Sequence, residues 1–179
     1  GGDVARLRPH IKTHKTQEVN DLLIEAGIYK FKCASIAEAE LLAISKAKDI
    51  LLSIQPTGTT LSRFIELILN YQKSQFSCLV DDYLAAEKVN ELAINNNVLI
   101  NIFIDLNVGM NRTGIVPKNA FQLIDKITNH LPNLIIKGLH AYDGHIRDYD
   151  LAERIAHCDR DFKEAEELRN KIQSEGYSL

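Results

Sequence analysis

Short apolar runs alternate along the chain with longer stretches in which apolar residues recur every three or four positions. The short runs predict β-strands and the longer stretches predict amphipathic helices. Six strands are predicted, at residues 5–13, 28–34, 49–54, 75–80, 98–106 and 134–142. No hairpin signal joins any two of them. Strands separated by helices indicate βα units and therefore a parallel sheet.

The helical stretches carry recognisable start and stop signals. Ser35 is followed three residues later by Glu38, which is the spacing of a capping box. Gly27 follows the first stretch as a stop signal, and Pro117 opens the fifth at a favoured first-turn position. Helices are predicted over residues 16–27, 35–47, 59–71, 81–95, 117–131 and about 150–175, the last being long, charged and solvated.

Two architectures fit a parallel sheet of this kind, a (β/α)₈ barrel and an open, doubly wound sheet. The glycine pattern of a dinucleotide-binding fold, GxGxxG, does not follow the first predicted strand. Six βα units are too few for a closed barrel of eight. The sheet is therefore either open or lacks two units in this stretch, and no linker divides residues 1–179 into two domains.

Composition narrows the class of partner. The net charge is −3, which gives no reason to expect nucleic acid or an anionic membrane surface as a partner. No apolar run approaches the roughly 20 residues that span a bilayer, and no apolar leader follows the N-terminus. Cys33, Cys78 and Cys158 lie far apart and form no CxxC pair, so a disulfide framework is not expected. A protein of the reducing cytoplasm is expected.

The segment "LRPHIKTHKT", residues 7–16, concentrates basic groups. On an extended strand, Arg8, His10, Lys12 and His14 share one face. Neighbouring positive charge and burial disfavour an ammonium group, and a neutral lysine amine is a nucleophile toward carbonyl carbon. Lys12 is therefore the candidate for covalent chemistry, and Lys15, which is out of phase, is the weaker one.

Two later strand ends also carry polar side chains, and parallel α/β folds place their sites at such ends. One end has Asp105, Asn107 and Arg112, and the other has His140, Tyr142, Asp143, His145 and Tyr149. Taken alone, a strand histidine is most often structural. A histidine metal site in a metal-dependent barrel enzyme is the other interpretation of the cluster, although no carboxylate lies at a fixed ligand spacing.

Three motifs together resemble one family. "LRPHIKTHKT", "IDLNVGMNRTG" and "GLHAYDGHIRDYDLAER" are similar, in this order, to segments of the D-threonine aldolase and D-serine dehydratase group. That group belongs to the alanine-racemase-like, fold type III enzymes that use pyridoxal 5'-phosphate (PLP). The third motif is closer to the aldolase branch than to the dehydratase branch, and the resemblance runs through nearly the whole chain.

The resemblance implies a fold and a domain boundary. It implies a (β/α)₈ TIM barrel of the alanine racemase N-terminal type, followed in the family by a β-rich domain. Residues 1–179 would be the PLP-binding barrel domain, incomplete and covering about six βα units. The C-terminal domain would hold a divalent metal ion (Zn²⁺, Mn²⁺ or Mg²⁺), so no metal ligand is expected in this stretch.

The resemblance also assigns roles to residues. Lys12 would be the catalytic residue and would hold PLP covalently. Arg112 would lie near the phenolic oxygen of PLP, and Tyr149 would be a further contact. His140 would approach the pyridine ring, where relatives place Gln or Tyr. The surrounding residues of the active site would be His10, His14, Tyr142 and Asp143.

The activity implied is that of a lyase acting on β-hydroxy-D-amino acids, foremost D-threonine aldolase-like cleavage to glycine and an aldehyde. D-serine dehydratase-like deamination and amino-acid racemisation are the alternatives within the family. A PLP-binding protein of cofactor homeostasis, without catalysis, is the alternative from another class. The expected partner is a small D-amino acid, the expected assembly a homodimer.

Overall fold

The computed structural model describes residues 2–177 and contains five parallel strands alternating with helices. The strands are β1 (Lys30–Cys33), β2 (Asp49–Leu52), β3 (Gln75–Val80), β4 (Ile100–Leu106) and β5 (Leu134–Ala141). The helices are α1 (Gln17–Glu25), α2 (Ile36–Ile44), α3 (Gly58–Asn70), α4 (Tyr83–Asn95), α5 (Pro117–His130) and α6 (Leu151–Ser174). The predicted parallel α/β class is confirmed.

The strand order decides between the two architectures. Each strand pairs in parallel with the next one along the chain, in the order β1-β2-β3-β4-β5. A doubly wound sheet reverses its strand order at a switch point, whereas barrel strands follow one another around the axis. The described sheet has no reversal, so it winds as part of a (β/α) barrel.

Side chains alternate between the two faces of the sheet, and the faces differ in polarity. Phe31, Ile50 and Ile104 belong to the main hydrophobic core, which they share with buried residues of the helices. Leu51 and Leu79 are also buried, but they lie outside that core. Alternation places them on the opposite face, together with the polar side chains of the strands. The face turned away from the helices is therefore the one that carries the chemistry.

The prediction of a first strand at residues 5–13 is wrong. The segment forms two short 3₁₀ turns, Val4–Arg6 and Ile11–Thr13, and only His10 makes a bridge to β1, opposite Lys32. Pro9 has no N–H to give to a ladder, and the His10 side chain accepts the N–H of Lys12, which ends the extended backbone. The described chain thus has five βα units instead of six.

The helix signals are mostly confirmed, and no helix end differs from its predicted position by more than three residues. The Ser35 hydroxyl accepts the Glu38 N–H at 3.3 Å, but the Glu38 carboxylate accepts the N–H of Ala34 instead of that of Ser35. The predicted capping box is therefore half formed. None of the helices within residues 2–177 is long and apolar enough to cross a membrane.

Candidate active site

A bulge in β5 brings two functional side chains together. Ile136 pairs with Ile102, but the next register pair is Gly138 with Phe103, so Lys137 is one extra residue in β5. Beyond this bulge His140 lies opposite Asp105. A bulge changes which side chains face each other across a ladder. Without it, His140 would be offset by one residue and would point to the other face.

Lys32, His140 and Asp105 form a hydrogen-bonded chain on the polar face of the sheet. Lys32 Nζ lies 2.6 Å from His140 Nε2, and His140 Nδ1 lies 2.6 Å from Asp105 Oδ1. Asp105 is buried, with 6% of its side chain exposed. A carboxylate can only accept, so His140 donates from Nδ1 and accepts from Lys32 at Nε2. One proton can therefore move between Lys32 and His140 while Asp105 balances the charge.

Lys32 lies in an environment that disfavours its ammonium form. Burial is the largest cause that lowers the pKa of Lys32, and positive charge on Lys12, Arg112 and Arg8 lowers it further. The carboxylate of Asp105 acts in the opposite direction. The net effect lowers the pKa of Lys32 below that of a free lysine, which makes the neutral amine, the form that can accept a proton, easier to reach.

A cavity of about 430 Å³ opens beside the hydrogen-bonded side chains of Lys32, His140 and Asp105. Its wall includes His10, Lys12, Asp81, Asp105 and Arg112. Asp81 directly follows β3 and Asp105 lies near the end of β4, so the cavity is at the carboxyl ends of the strands, where parallel α/β folds bind ligands. Its volume lies within the range of small-molecule sites, roughly 300–1,000 Å³. The wall carries two cationic side chains, Lys12 and Arg112, which can contact an anionic group of a ligand, and two carboxylates, Asp81 and Asp105.

Several residues predicted for the site meet at this cavity. Lys12 and His10 reach it from the N-terminal segment, and Arg112 reaches it from the loop after β4. The aromatic face of Tyr142 lies 5.0 Å from the Arg112 guanidinium and 5.7 Å from Lys32 Nζ. His140 does not line the cavity itself, but it is hydrogen-bonded to Asp105, which does. Burial and the charge of Lys12 lower the pKa of His10, so the ring is a neutral acceptor for the N–H of Lys12.

Other predicted site residues are not brought to the cavity. His14 accepts the N–H of Thr16, just before α1. Asp143 is exposed, and the side chain of Tyr149 is fully exposed. Arg8, which alternation placed beside Lys12, instead makes a bidentate pair with Asp49 at the amino end of β2, with distances of 2.6 and 2.8 Å. Strand alternation failed for Arg8 because the segment is not a strand.

Lys32 and Asp81 were not predicted as site residues, and Asp105 was named at its strand end without a role. Lys32 lies between Phe31 and Cys33, which are both fully buried. A lysine in the middle of an otherwise apolar strand is the sequence signal that could have pointed to Lys32. Asp81 accepts the N–H of Gly114 at 2.8 Å and gives its own N–H to Gln55 at 2.9 Å. It therefore ties the loop after β4 to the end of β3.

The loop that carries Arg112 has a fixed shape. The side-chain oxygen of Asn107 accepts the N–H groups of Gly109 and Asn111, at 3.1 and 3.0 Å. Gly114 has φ +97°, and a Cβ there would lie 2.6 Å from the backbone of Leu106 and Asn107. Only glycine fits at this close approach. The positive φ and the close approach of the backbone together explain why the second glycine of "VGMNRTG", Gly114, is a glycine.

Gly114→Ala is expected to destabilise the chain by roughly 1–3 kcal/mol, because alanine at this φ is strained and its Cβ meets backbone atoms. The matched control is Gly58→Ala. Gly58 also has a positive φ, +50°, but open space surrounds the Cβ position. Urea denaturation of the two variants checks the prediction. Equal shifts in the unfolding midpoint would show that the close approach contributes nothing.

Comparison with known proteins agrees with this geometry. The sequence profile of the family described as "Alanine racemase, N-terminal domain" matches residues 2–179. The chain is 27% identical over 175 residues to a 3-hydroxy-D-aspartate aldolase of Paracoccus denitrificans, covering 96% of this chain and 44% of that protein. It is 25% identical over 154 residues to a D-threonine aldolase of Arthrobacter sp, covering 86% of this chain and 40% of that protein.

A solved structure shows the same fold. The D-threonine aldolase from Filomicrobium marinum superposes with a TM-score of 0.88 at 24% sequence identity, over 98% of this chain and 47% of that chain. The chain thus spans less than half the length of the relatives it matches. The profile match extends through the N-terminal segment with Lys12, all five strands and α6. This chain belongs to the alanine racemase N-terminal domain family.

Proposed function

We propose that this chain is the PLP-binding part of a lyase that acts on β-hydroxy-D-amino acids, with aldolase-type cleavage to glycine and an aldehyde. One observation carries the proposal. Lys12 and Arg112, which come from two motifs far apart in the sequence, line one cavity with Asp105, the end of the Lys32–His140–Asp105 chain. The similarity to proteins named 3-hydroxy-D-aspartate aldolase and D-threonine aldolase supports the substrate class.

The residues of the cavity fit PLP, which carries an aldehyde and a negatively charged phosphate. Lys12 supplies a primary amine in the wall, and Arg112 supplies a guanidinium. Lys12 would hold PLP covalently, and Arg112 would neutralise negative charge on it. When bound, PLP acts as an electron sink for the bonds of the substrate α-carbon.

The hydrogen-bonded side chains of Lys32, His140 and Asp105 would accept a proton from the substrate. Cleavage of a β-hydroxy-amino acid requires removal of the hydroxyl proton, because the oxygen becomes the carbonyl oxygen of the aldehyde. Lys32 Nζ can accept a proton in its amine form, and its hydrogen bond to His140 spreads the resulting charge toward Asp105. Tyr142 covers the Lys32 and Arg112 side chains from one side.

The test is a product assay on the full-length parent protein supplied with PLP and a β-hydroxy-D-amino acid. Release of glycine with an aldehyde is the expected result. Release of ammonia instead would establish dehydratase chemistry, and appearance of the L-enantiomer would establish racemisation. Bound PLP without any turnover of D- or L-substrates would favour a non-catalytic binding protein.

Two features of the parent protein belong to the same proposal. A C-terminal β-rich domain would bring a divalent metal ion to the site, and the protein would be a homodimer. Treatment with a chelator is expected to abolish cleavage, and re-addition of Mn²⁺ or Zn²⁺ to restore it. Light scattering measures the molar mass in solution, and a monomer of full activity would contradict the dimer.

A further inference from the structure

A second cluster of titratable groups lies outside the cavity, between the segment after β5 and α6. His145 comes from that segment, and His157 and Asp161 come from α6. Asp161 Oδ2 lies 2.7 Å from His145 Nε2 and 3.3 Å from His157 Nε2. One ligand atom from each of the three residues lies within 4.8 Å of the other two. All three side chains are largely covered, with 15–25% exposed.

A fourth residue, Asp148, fixes the orientation of one imidazole. Asp148 Oδ2 lies 2.8 Å from His157 Nδ1. The carboxylate can only accept, so Nδ1 carries a hydrogen, and Nε2, which faces Asp161, is the nitrogen that a cation would bind. His157 Nε2 lies 3.3 Å from Asp161 Oδ2, and either a proton on Nε2 or a cation between the two atoms stabilises this contact. A carboxylate on the far nitrogen of a ligating histidine is also the usual support of a metal-bound imidazole.

The backbone prepares the same arrangement. His157 and Asp161 are four residues apart, so they lie on one face of α6. Asp150 caps α6 by accepting the N–H of Glu153, which fixes where the helix begins. A Cβ at Gly109 would lie 2.5 Å from His145 Nε2 and 2.8 Å from Asp161 Oδ2. The backbone of the Arg112 loop therefore closes one side of the cluster.

We propose that His145 Nε2, His157 Nε2 and Asp161 Oδ2 bind a divalent transition-metal ion of the Zn²⁺ type, with water at the remaining position. Two imidazoles and one carboxylate suit Zn²⁺ better than Mg²⁺ or Ca²⁺, which prefer oxygen ligands. Ligand atoms around tetrahedral zinc are about 3.3 Å apart, so His145 and Asp161 need to separate by about 0.6 Å.

This site is distinct from the cavity of the proposed reaction. None of the three ligands lines that cavity. No metal ligand was expected within this stretch, because the resemblance places the metal ion in the C-terminal domain, and this cluster joins residues of a loop and a helix that no sequence spacing connects. The ion would link the segment after β5 to α6, beside the backbone of Gly109 in the loop that carries Arg112.

The test counts zinc in the full-length protein after removal of any affinity tag, treatment with chelator and dialysis against zinc chloride. His157→Ala and Asp161→Asn are expected to contain one equivalent per chain less than the wild type. The matched control is His130→Ala, since His130 is an exposed histidine at the end of α5, and it is expected to retain the wild-type content. A metal ion held by another domain would be present in all four proteins, so it does not change the difference in zinc content between them. Equal zinc content in all four would overturn the proposal.

A second measurement uses the wild type alone and does not depend on the folding of a variant. Zinc chloride is expected to protect His145 and His157 from diethyl pyrocarbonate, as mapped by mass spectrometry, and to leave the labelling of His130 unchanged. Unchanged labelling of His145 and His157 would overturn the proposal. Loss of lyase activity is not a readout in either experiment, so this test and that of the proposed function fail independently.

Discussion

Lys12→Ala is expected to abolish covalent attachment of PLP, whereas Lys15→Ala is expected to leave it intact. The Lys12 side chain lines the cavity with Arg112. The Lys15 ammonium instead lies 3.4 Å from the carboxylate of Glu38. The two lysines share a segment, a residue type and an exposed position, so the pair isolates the effect of location. The measurement is reduction of the PLP-loaded full-length protein with borohydride, followed by digestion and mass mapping of the pyridoxyl group.

The outcome that contradicts this assignment is a pyridoxyl group retained in the Lys12→Ala protein. Mapping would then show which amine carries it. A pyridoxyl group on Lys32 in the wild type would move the covalent role to the lysine whose pKa the structure lowers. Absence of the group in both variants, with wild type labelled, would show that Lys15 is also required, against its position outside the cavity.

Lys32→Met is expected to reduce kcat by about 10²- to 10⁴-fold, the range for loss of a general acid or base. Methionine keeps the length of the side chain but cannot exchange a proton with His140. The matched control is Lys30→Met, two residues earlier on β1, where the lysine is exposed. Steady-state kinetics on the proposed substrates provide the measurement. A Lys32→Met enzyme with unchanged kcat would exclude Lys32 from proton transfer.

The same variant is expected to change the pH dependence of stability. The pKa of Lys32 is lowered in the folded chain, whereas an unfolded lysine titrates near its ordinary value of about 10.4. Between the two pKa values the unfolded chain binds more protons, so the free energy of unfolding rises with pH. Wild type should therefore gain stability relative to Lys32→Met as pH rises through this window. Denaturation at several alkaline pH values measures the difference, and a constant difference would contradict the lowered pKa.

The sheet was predictable because each strand is short, apolar and bounded by helix signals. Residues 75–80 were predicted as a strand and form β3 with the same limits. The N-terminal segment was not predictable by the same means, because its extended character rests on Leu7, Pro9 and Ile11 without a ladder to hold it. Alternation of side chains holds only within a paired strand, and the grouping of Arg8 with Lys12 failed for this reason.

The candidate site was predictable only in part. Lys12 and Arg112 were predicted because their motifs resemble a family, and both line the same cavity. Lys32 was missed because its role depends on contact with His140, and no pattern near Lys32 in the sequence shows that contact. The bulge at Lys137, which places His140 opposite Asp105, is likewise a property of two paired strands and not of either one alone.

The order of the strands separates the folding of the sheet from the assembly of the site. Every strand pairs with the next one along the chain, so each ladder of the sheet joins two neighbouring βα units. The Lys32–His140 hydrogen bond, by contrast, joins residues 108 positions apart. It forms only when β5 has docked on β4. Opening of β5 alone would therefore break this hydrogen bond while β1 to β4 stay paired.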